Sequence, residues 1–131
     1  MGWSLVGVVL VAGIIWLIAA YGGTSSGRWN TFAKCLAEKK ITMYGDYRCP
    51  HCQNEKRAFG DSFKYVPYVE CTQEPGRCAQ MGVKGYPTWI FEDQMSPPGS
   101  AGQTARRLAG EQGLTKLSQA SGCLLVPDAA K

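Results

Sequence analysis

Two cysteines at a C-x-x-C spacing, Cys49 and Cys52, place the strongest constraint on the fold of this chain. A short apolar and β-prone run, residues 41–44, comes shortly before them and is predicted to be a buried strand. Residues 49–59 are predicted to form a helix that ends at Gly60. Two intervening residues let both sulfur atoms meet across the first turn of that helix. A strand, a loop and a C-x-x-C helix in this order are typical of a thiol–disulfide redox site.

The residues around the first cysteine favour an anionic Cys49. Free backbone N–H groups and the positive end of the dipole at a helix start stabilise a thiolate. Pro50 suits the first helical position, because its fixed φ fits the turn and its missing N–H costs nothing there. His51, the only histidine of the chain, favours the thiolate further when it is protonated. Because a stabilised thiolate favours the reduced form, we expect an oxidising disulfide, with Cys49 exchanging with the substrate and Cys52 resolving.

Other interpretations of these cysteines are possible. Cys49, Cys52, Cys71 and Cys78 would supply four thiolates to zinc, although the spacing of the last two is wide for a zinc ribbon. A purely structural Cys49–Cys52 disulfide would add little stability, because it closes a very short loop. Haem attachment is excluded, because Gln53 rather than a histidine follows the second cysteine. Redox chemistry is therefore the favoured interpretation, and no metal or cofactor is expected.

Charge is distributed unevenly along the 131 residues, because all 14 basic and 10 acidic side chains follow residue 27. Residues 28–131 therefore have the charge density of an ordinary globular domain, and they are too few for a multi-domain enzyme or a barrel. The net charge of +4 is spread along the sequence, so the basic residues are too sparse to line a groove that binds nucleic acid. Six cysteines, an even number, favour an oxidising compartment or a metal site.

The N-terminal part is an apolar run over residues 3–20 whose only polar member is Ser4. As a helix it would rise about 27 Å, against a hydrocarbon core of about 30 Å. Trp3 and Tyr21 stand near its two ends, where amphipathic rings favour the membrane interface. We therefore expect residues 1–21 to be a transmembrane anchor.

Residues 22–27 contain only Gly, Thr and Ser and are predicted to be a flexible tether to the soluble domain, residues 28–131. A signal peptide cleaved near Ala20 is an alternative, although the run is long for one and no Lys or Arg precedes it. Arg28 weakly favours a cytoplasmic domain, but long domains translocate largely regardless of such charges. The cysteine count favours the oxidising side of the membrane.

The soluble part alternates helical and β-prone segments. Helices are predicted over residues 29–39, 49–59, 77–81 and 114–120, strands over residues 41–44, 65–71, 88–91 and 105–109, and a loop over residues 94–102. Thr31 is expected to cap the first helix and Gly122 to end the last. Tyr65, Val69 and residues 89–91 are expected in the core. The order implies one parallel pair, a late antiparallel hairpin and hence a mixed sheet in an α/β fold.

Several segments of the soluble part match a known family. They are residues 32–36 (FAKCL), 43–45 (MYG), 49–52 (CPHC), 66–71 (VPYVEC), 86–90 (YPTWI) and 120–123 (ASGC). Together they resemble the thioredoxin superfamily, in particular the thioredoxin-like domain fused to bacterial and plant homologues of vitamin K epoxide reductase. The resemblance spans nearly the whole soluble part and implies a thioredoxin-like fold with a mixed central sheet flanked by helices.

The resemblance also assigns a role to Tyr86 and Pro87. Pro87 would follow a cis peptide bond and face the redox disulfide, and the backbone of Tyr86 would pair with an extended substrate segment. A proline after an aromatic residue at the start of a strand is a permitted place for a cis bond.

The chain departs from the family pattern in three ways. Thioredoxins carry a buried Asp six residues before the first redox cysteine, where this chain has Met43, which fits an oxidant better than a reductase. Arg48 stands where Trp is frequent and adds a positive charge near the thiolate. The quinone-reducing helical bundle of the fused proteins has no counterpart in these residues, so a separate vitamin K epoxide reductase-like membrane partner is expected to reoxidise the disulfide.

The remaining four cysteines are interpreted as two further disulfides. A Cys35–Cys123 pair would close a long loop, worth about 4.6 kcal/mol in the chain-entropy model, whereas a Cys71–Cys78 pair would contribute about 2.5 kcal/mol. The long pair would staple a small domain. The short pair would either staple a loop or relay electrons to the redox pair, and other pairings remain open.

These features predict a membrane-tethered thiol–disulfide oxidoreductase that passes the Cys49–Cys52 disulfide to thiol-containing exported proteins. Its soluble domain would lie on the oxidising side of the membrane, in a periplasm or a thylakoid lumen. One alternative is a disulfide reductase or isomerase of the same compartment. Another is a non-catalytic docking module that retains the fold.

Overall fold

The computed structural model describes residues 11–16, 27–94 and 105–129 of the chain. From residue 27 onwards the helices are α1 (Asn30–Glu38), α2 (Pro50–Phe59), α3 (Pro75–Gln80) and α4 (Gly113–Ser121). The strands are β1 (Ile41–Gly45), β2 (Tyr68–Glu70), β3 (Thr88–Phe91) and β4 (Arg106–Ala109). Segments of 3-10 helix, Gly60–Tyr65 and Glu92–Gln94, follow α2 and β3.

Most of the predicted anchor and tether lies outside the described residues. Of the anchor, the structure describes residues 11–16, which are helical, and of the tether it describes residue 27. No helix within the described ranges is long and apolar enough to cross a membrane. The anchor and the tether therefore stay predictions. The loop predicted over residues 94–102 also lies outside the described residues, except for Gln94.

The strands form a mixed sheet in the order β2-β1-β3-β4. Strands β1 and β2 are parallel and are joined by α2, whereas β3 is antiparallel to both β1 and β4. All five residues of β1 are buried, as expected for a central strand that is covered on both faces. The predicted parallel pair and late antiparallel hairpin are confirmed, and the mixed α/β architecture fits a thioredoxin-like fold.

The second strand is shorter than the prediction for residues 65–71. It comprises only Tyr68–Glu70, because the chain after α2 continues into the 3-10 segment Gly60–Tyr65. Pro67, directly before the strand, has no N–H to donate to a sheet ladder, although its carbonyl accepts a hydrogen bond from Met43 N at 2.9 Å. Every other predicted helix and strand differs from the structure by only one or two residues at either end.

The cap of α1 also differs from the prediction, because Trp29 rather than Thr31 occupies the N-cap position. The backbone N–H of Thr31 donates to Asp128 Oδ2 at 3.0 Å, and its hydroxyl donates to Asp128 Oδ1. These hydrogen bonds hold the pKa of Asp128 below its usual value. Asp128 N in turn donates to Arg28 O at 2.8 Å. A carboxylate near the end of the chain therefore caps the first helix.

The core lies on both faces of the sheet, since neighbouring strand residues point to opposite sides. One buried cluster packs the helices against the sheet and includes Phe32, Leu36, Met43, Cys52, Phe59, Trp89 and Leu117. The other includes Tyr44, Val69, Cys71, Cys78, Ile90 and Ala105. The predicted core residues are buried except Tyr65, which is half-buried. The redox motif therefore begins a helix that is anchored on the larger cluster.

Two disulfides tie outer elements to this framework. Cys35 of α1 is bonded to Cys123, and Cys71 is bonded to Cys78 of α3. Gly122, with φ of 72°, ends α4 in the left-handed conformation that glycine adopts at little cost. It thereby turns the chain from α4 towards the Cys123 sulfur.

Candidate redox site

The C-x-x-C segment is held at the start of α2 by the loop before it. Cys49 occupies the N-cap with an extended backbone, and Pro50 stands in the first turn. Cys49 N donates to Asp46 O at 3.0 Å, and Arg48 N donates to Asp46 Oδ1 at 2.8 Å. The loop therefore turns tightly and presents the first thiol at the helix end. Both thiols are free, and Cys49 is half-buried whereas Cys52 is fully buried.

The loop before β3 lies beside the first thiol. Cys49 Sγ lies 3.6 Å from the carbonyl oxygen of Tyr86, to which the thiol can donate. The peptide bond between Tyr86 and Pro87 is cis, and Pro87 is buried while the Tyr86 side chain is exposed. Pro87 O accepts a hydrogen bond from Gly110 N at 2.8 Å. The backbone carbonyl of an exposed residue therefore stands next to the reachable sulfur.

The second thiol lies beneath the first in a tight pocket. Burial, helped by the nearby Cys49 thiol, raises the pKa of Cys52 to about 12, although the backbone N–H of Asp46 and the charge of Lys56 oppose the shift. A Cβ atom on Gly45 would lie only 3.1 Å from Cys52 Sγ, so glycine permits the close approach of β1 to the sulfur. Cys52 therefore stays a protonated thiol unless a base accepts its proton.

His51 is paired with a carboxylate from the loop between β4 and α4. Its Nδ1 lies 2.9 Å from Glu111 Oε2, and Asn54 Nδ2 donates to the same oxygen at 3.2 Å. The hydrogen bond with His51 lowers the pKa of Glu111, so this carboxyl group is ionised near neutral pH. An open pocket of about 450 Å³, lined by His51 and residues 110–113, lies at this contact. The Glu111 carboxylate thus holds the His51 ring in place at the start of α2.

A buried carboxylate fastens the same loop to α2. Glu55 is fully buried, and its two oxygens accept hydrogen bonds from Gln112 N at 2.7 Å and Gly113 N at 2.9 Å. Burial raises the pKa of Glu55, although these hydrogen bonds and the nearby indole of Trp89 oppose the shift. Glu55 therefore satisfies N–H groups at the start of α4 and holds the Glu111 loop near His51.

Replacing Glu55 by Gln is expected to remove a pH dependence of folding stability. Because the pKa of Glu55 is raised above its ordinary value of 4.5, the folded chain holds this proton more tightly than the unfolded chain. Stability is therefore lost as the pH rises from about 4.5 through the raised pKa. Urea unfolding of the wild type and E55Q between about pH 4 and about pH 8 measures the loss.

The free-energy difference between the two proteins should move in favour of E55Q as the pH rises. Glu38→Gln, which alters an exposed carboxylate, is the control and should follow the wild type. A difference between wild type and E55Q that stays constant over the whole pH range would contradict the prediction.

Comparison with known proteins finds similarity to a curated protein of related activity. No family model matches the sequence. The chain is similar to Thiol-disulfide oxidoreductase LTO1 of Arabidopsis thaliana. The two are 32% identical over 99 residues, which make up 69% of this chain and 23% of the relative, so the chain spans about a quarter of the relative's length. This similarity supports a thioredoxin-like oxidoreductase, in agreement with the fold and with the C-x-x-C site.

The Cys71–Cys78 disulfide bears on the alternative interpretation that four cysteines bind zinc. The Cys71–Cys78 bond removes two of the four thiolates that a zinc site would need. Within the part of the chain that the structure describes, no group of three or more His, Cys, Asp or Glu side chains is placed to hold a metal ion. Cys71 and Cys78 are buried, and Cys71 N donates to Gly45 O at 2.8 Å. The short disulfide therefore joins the end of β2 to α3, and the hydrogen bond joins it to β1.

Some residues of the site were not identified from the sequence. They are Glu55, Tyr68, Glu70 and Glu111. Glu111 and the loop that Glu55 binds are separated from the motif by about half of the chain, so no spacing pattern links them. The only local signal is the position of Glu55 on α2, where the helix turns it inwards.

Proposed function

We propose that this chain is a membrane-tethered thiol–disulfide oxidoreductase that passes the Cys49–Cys52 disulfide to exported proteins. The observation that carries the proposal is the pairing of a reachable Cys49 at a helix start with a fully buried Cys52 one turn further on. Such a pair exposes one sulfur to attack and shields the other. The similarity to a plant thiol–disulfide oxidoreductase supports the same chemistry.

The reaction is an exchange of sulfur–sulfur bonds. A substrate thiolate attacks Cys49 Sγ, and the Cys49–Cys52 bond breaks with its electron pair on Cys52. Cys52 then takes up a proton, because its pKa is raised to about 12. A second substrate thiolate attacks the mixed disulfide and releases Cys49 as a thiolate. The substrate gains a disulfide and loses two electrons, which the two cysteines of the chain now hold.

The surroundings of Cys49 suit this exchange. The sulfur of Cys49 stands at a helix start, where free backbone N–H groups and the helix dipole stabilise negative charge on a leaving group. The carbonyl of Tyr86, 3.6 Å from the sulfur, belongs to exposed backbone that an extended substrate segment can pair with. We assign the Tyr86–Pro87 loop to substrate positioning on this basis.

Reoxidation requires a further partner, because every transfer leaves Cys49 and Cys52 reduced. We assign this role to a quinone-linked vitamin K epoxide reductase-like membrane protein, as the family resemblance implies. The apolar run over residues 3–20 would hold the domain beside that partner, on the oxidising side of the membrane in a periplasm or a thylakoid lumen. The disulfides Cys35–Cys123 and Cys71–Cys78 are consistent with an oxidising compartment.

A redox equilibrium with glutathione tests the direction of electron flow. The position of Cys49 at a helix start favours the reduced form, so we expect a potential less negative than about −200 mV, in the range of protein disulfide oxidants and isomerases. Thiol trapping of Cys49 and Cys52 across defined glutathione ratios measures it. A value near about −270 mV, as for thioredoxin, would overturn the oxidase and favour the reductase.

A further inference from the structure

A tyrosine–glutamate pair lies next to the buried thiol. The position that a Cβ atom of Gly45 would occupy is 3.1 Å from Cys52 Sγ and 3.2 Å from Tyr68 Oη. The sulfur and the phenol oxygen therefore both border the space that the missing side chain leaves open. Tyr68 Oη donates to Glu70 Oε2 at 2.5 Å. Glu70 is half-buried at the end of β2, so the pair leads from the buried sulfur towards solvent.

The neighbouring strand explains why this pair is available to Cys52. Tyr68 of β2 stands directly opposite Met43 of β1, and paired residues of parallel strands point to the same face. Both residues contribute to the cluster that holds Cys52. Met43 is fully buried, and its thioether is not a base. The side chain that can exchange a proton is therefore one strand away.

We propose that Tyr68 and Glu70 form a proton relay for Cys52, an inference that rests on the proposed function of the redox pair. When Cys52 attacks a mixed disulfide at Cys49, its S–H proton passes to Tyr68 Oη while the phenol proton passes to Glu70. The Cys52 sulfur bonds to Cys49, and the substrate sulfur leaves with the electron pair as a thiolate. Tyr68 stays neutral, and Glu70 releases the proton to solvent. The same path, reversed, protonates Cys52 when it leaves.

The charges around the relay set the protonation state in which it starts. Burial opposes the charge of Glu70, but hydrogen bonds from Tyr68 and Thr72 outweigh it and hold the pKa of Glu70 below its usual value, so that it starts as an acceptor. Burial and Glu70 raise the pKa of Tyr68, which keeps the phenol protonated. Lys56 Nζ lies 3.8 Å from the centre of the Tyr68 ring, and its positive charge favours the Cys52 thiolate.

Asp46 and Arg48 complete the set of charged groups near the relay. Asp46 affects the pKa of Tyr68, and Arg48 interacts with Glu70. The two are bonded to each other, with Arg48 Nη2 at 3.0 Å from Asp46 Oδ2, so their charges largely offset. The charges near the relay that are not offset in this way are those of Glu70 and Lys56.

Stepwise exchange with oxidised glutathione separates the relay from the first attack. Reduced protein is mixed with oxidised glutathione, quenched in acid and analysed by mass for the Cys49–glutathione adduct and for the Cys49–Cys52 disulfide. For Tyr68→Phe we expect formation of the adduct within about twofold of the wild type and its resolution by Cys52 slowed about tenfold near neutral pH. The slowing should fade as the pH rises towards about 10, because hydroxide can then take the thiol proton.

Tyr68→Phe keeps the ring that packs against Phe63, with ring centres 5.6 Å apart, and Glu70→Gln keeps the shape of the carboxylate. Glu70→Gln is expected to slow resolution in the same way, and it decides the test if Tyr68→Phe fails to fold. Tyr65→Phe and Glu74→Gln are the matched controls, because they remove a phenol and a carboxylate that do not face Cys52.

The outcomes separate the relay from the proposed function. Normal exchange by the wild type, with unchanged resolution rates and pH profiles in Y68F and E70Q, would overturn the relay alone. A wild type that forms no glutathione adduct at Cys49 would overturn the proposed function, and the relay with it. Slower resolution that is independent of pH would show a structural effect and would also overturn the relay.

Discussion

Replacing Cys49 by Ser is expected to lower the rate of disulfide exchange by more than about a thousandfold, because a serine oxygen cannot form or break a disulfide. Cys49 is the reachable thiol of the pair, whereas Cys52 is fully buried, so no second sulfur can take its place. The measurement is the oxidation of a reduced dithiol peptide by the preoxidised protein. Wild-type protein oxidised in the same way is the reference.

Replacing Cys52 by Ala is expected to trap a reaction intermediate, the mixed disulfide at Cys49. Cys49 can still attack or be attacked, but the resolving thiol is missing, so mixed disulfides with substrate should accumulate. Cys52 lies in the larger core cluster, and alanine leaves its packing close to the original. Non-reducing gels and mass analysis of the purified protein detect the trapped species.

These two variants together test whether the chain is an enzyme or a docking module. A docking module predicts full function in Cys49→Ser and no mixed disulfides in Cys52→Ala. Peptide mapping of both variants should still find the Cys35–Cys123 bond, which shows that the fold is intact. Retained exchange activity in Cys49→Ser with an intact fold would contradict the redox assignment.

The sequence predicts the parts of the site whose causes are local. The start of α2 follows from Pro50 and from the C-x-x-C spacing, and the fold class follows from the alternation of helical and β-prone segments. The end of α4 follows from Gly122. In each case a backbone preference of one or two residues fixes the element, so the sequence pattern is sufficient.

The sequence does not predict features that depend on distant contacts. Thr31 has a side chain that often caps helices, but in the structure its own backbone N–H donates to Asp128, which is 97 residues further along the chain. Tyr65 was expected in a strand, whereas the chain after α2 continues as a 3-10 segment. Glu55 and Glu111 meet only because α2 and the loop before α4 pack together. Tertiary packing, rather than propensity, selects these partners.

The proton acceptor of Cys52 is another feature that depends on distant contacts. The replacement of an acidic residue by Met43 indicates from sequence that a proton acceptor is missing from β1. Which group takes over depends on the parallel register that sets Tyr68 opposite Met43 and on the space left by Gly45. Both are properties of the folded sheet, so the alternative acceptor becomes visible only in the structure.

Removing the Cys35–Cys123 disulfide is expected to cause the largest loss of stability among single cross-link deletions in the described part of the chain. The bond closes a loop with a sequence separation of 88 residues, so the chain-entropy model gives a loss of about 4.6 kcal/mol in the free energy of unfolding. The matched variant removes Cys71–Cys78, whose separation is 7 residues, and should lose about 2.5 kcal/mol. Double alanine variants avoid burying new hydroxyl groups.

The structure gives a reason for the difference beyond loop length. Cys35 lies on α1, and Cys123 follows α4, so their bond joins the first and last helices of the described domain. The other links described between these ends are hydrogen bonds, from Lys39 Nζ to Ser121 O at 2.6 Å and between Asp128 and residues 28 and 31. Cys71 and Cys78 are already held close by the short turn between β2 and α3, so their bond restricts the unfolded chain much less.

Guanidinium unfolding of the two double variants and the wild type measures the prediction, with exchange activity as a second readout. We expect the Cys35→Ala/Cys123→Ala variant to unfold at the lowest denaturant concentration, while its Cys49–Cys52 pair remains active wherever the domain is folded. Equal losses in the two variants, or a larger loss from the short pair, would show that the unfolded chain is already compact around Cys35 and Cys123, and the loop-entropy argument would then be wrong for this domain.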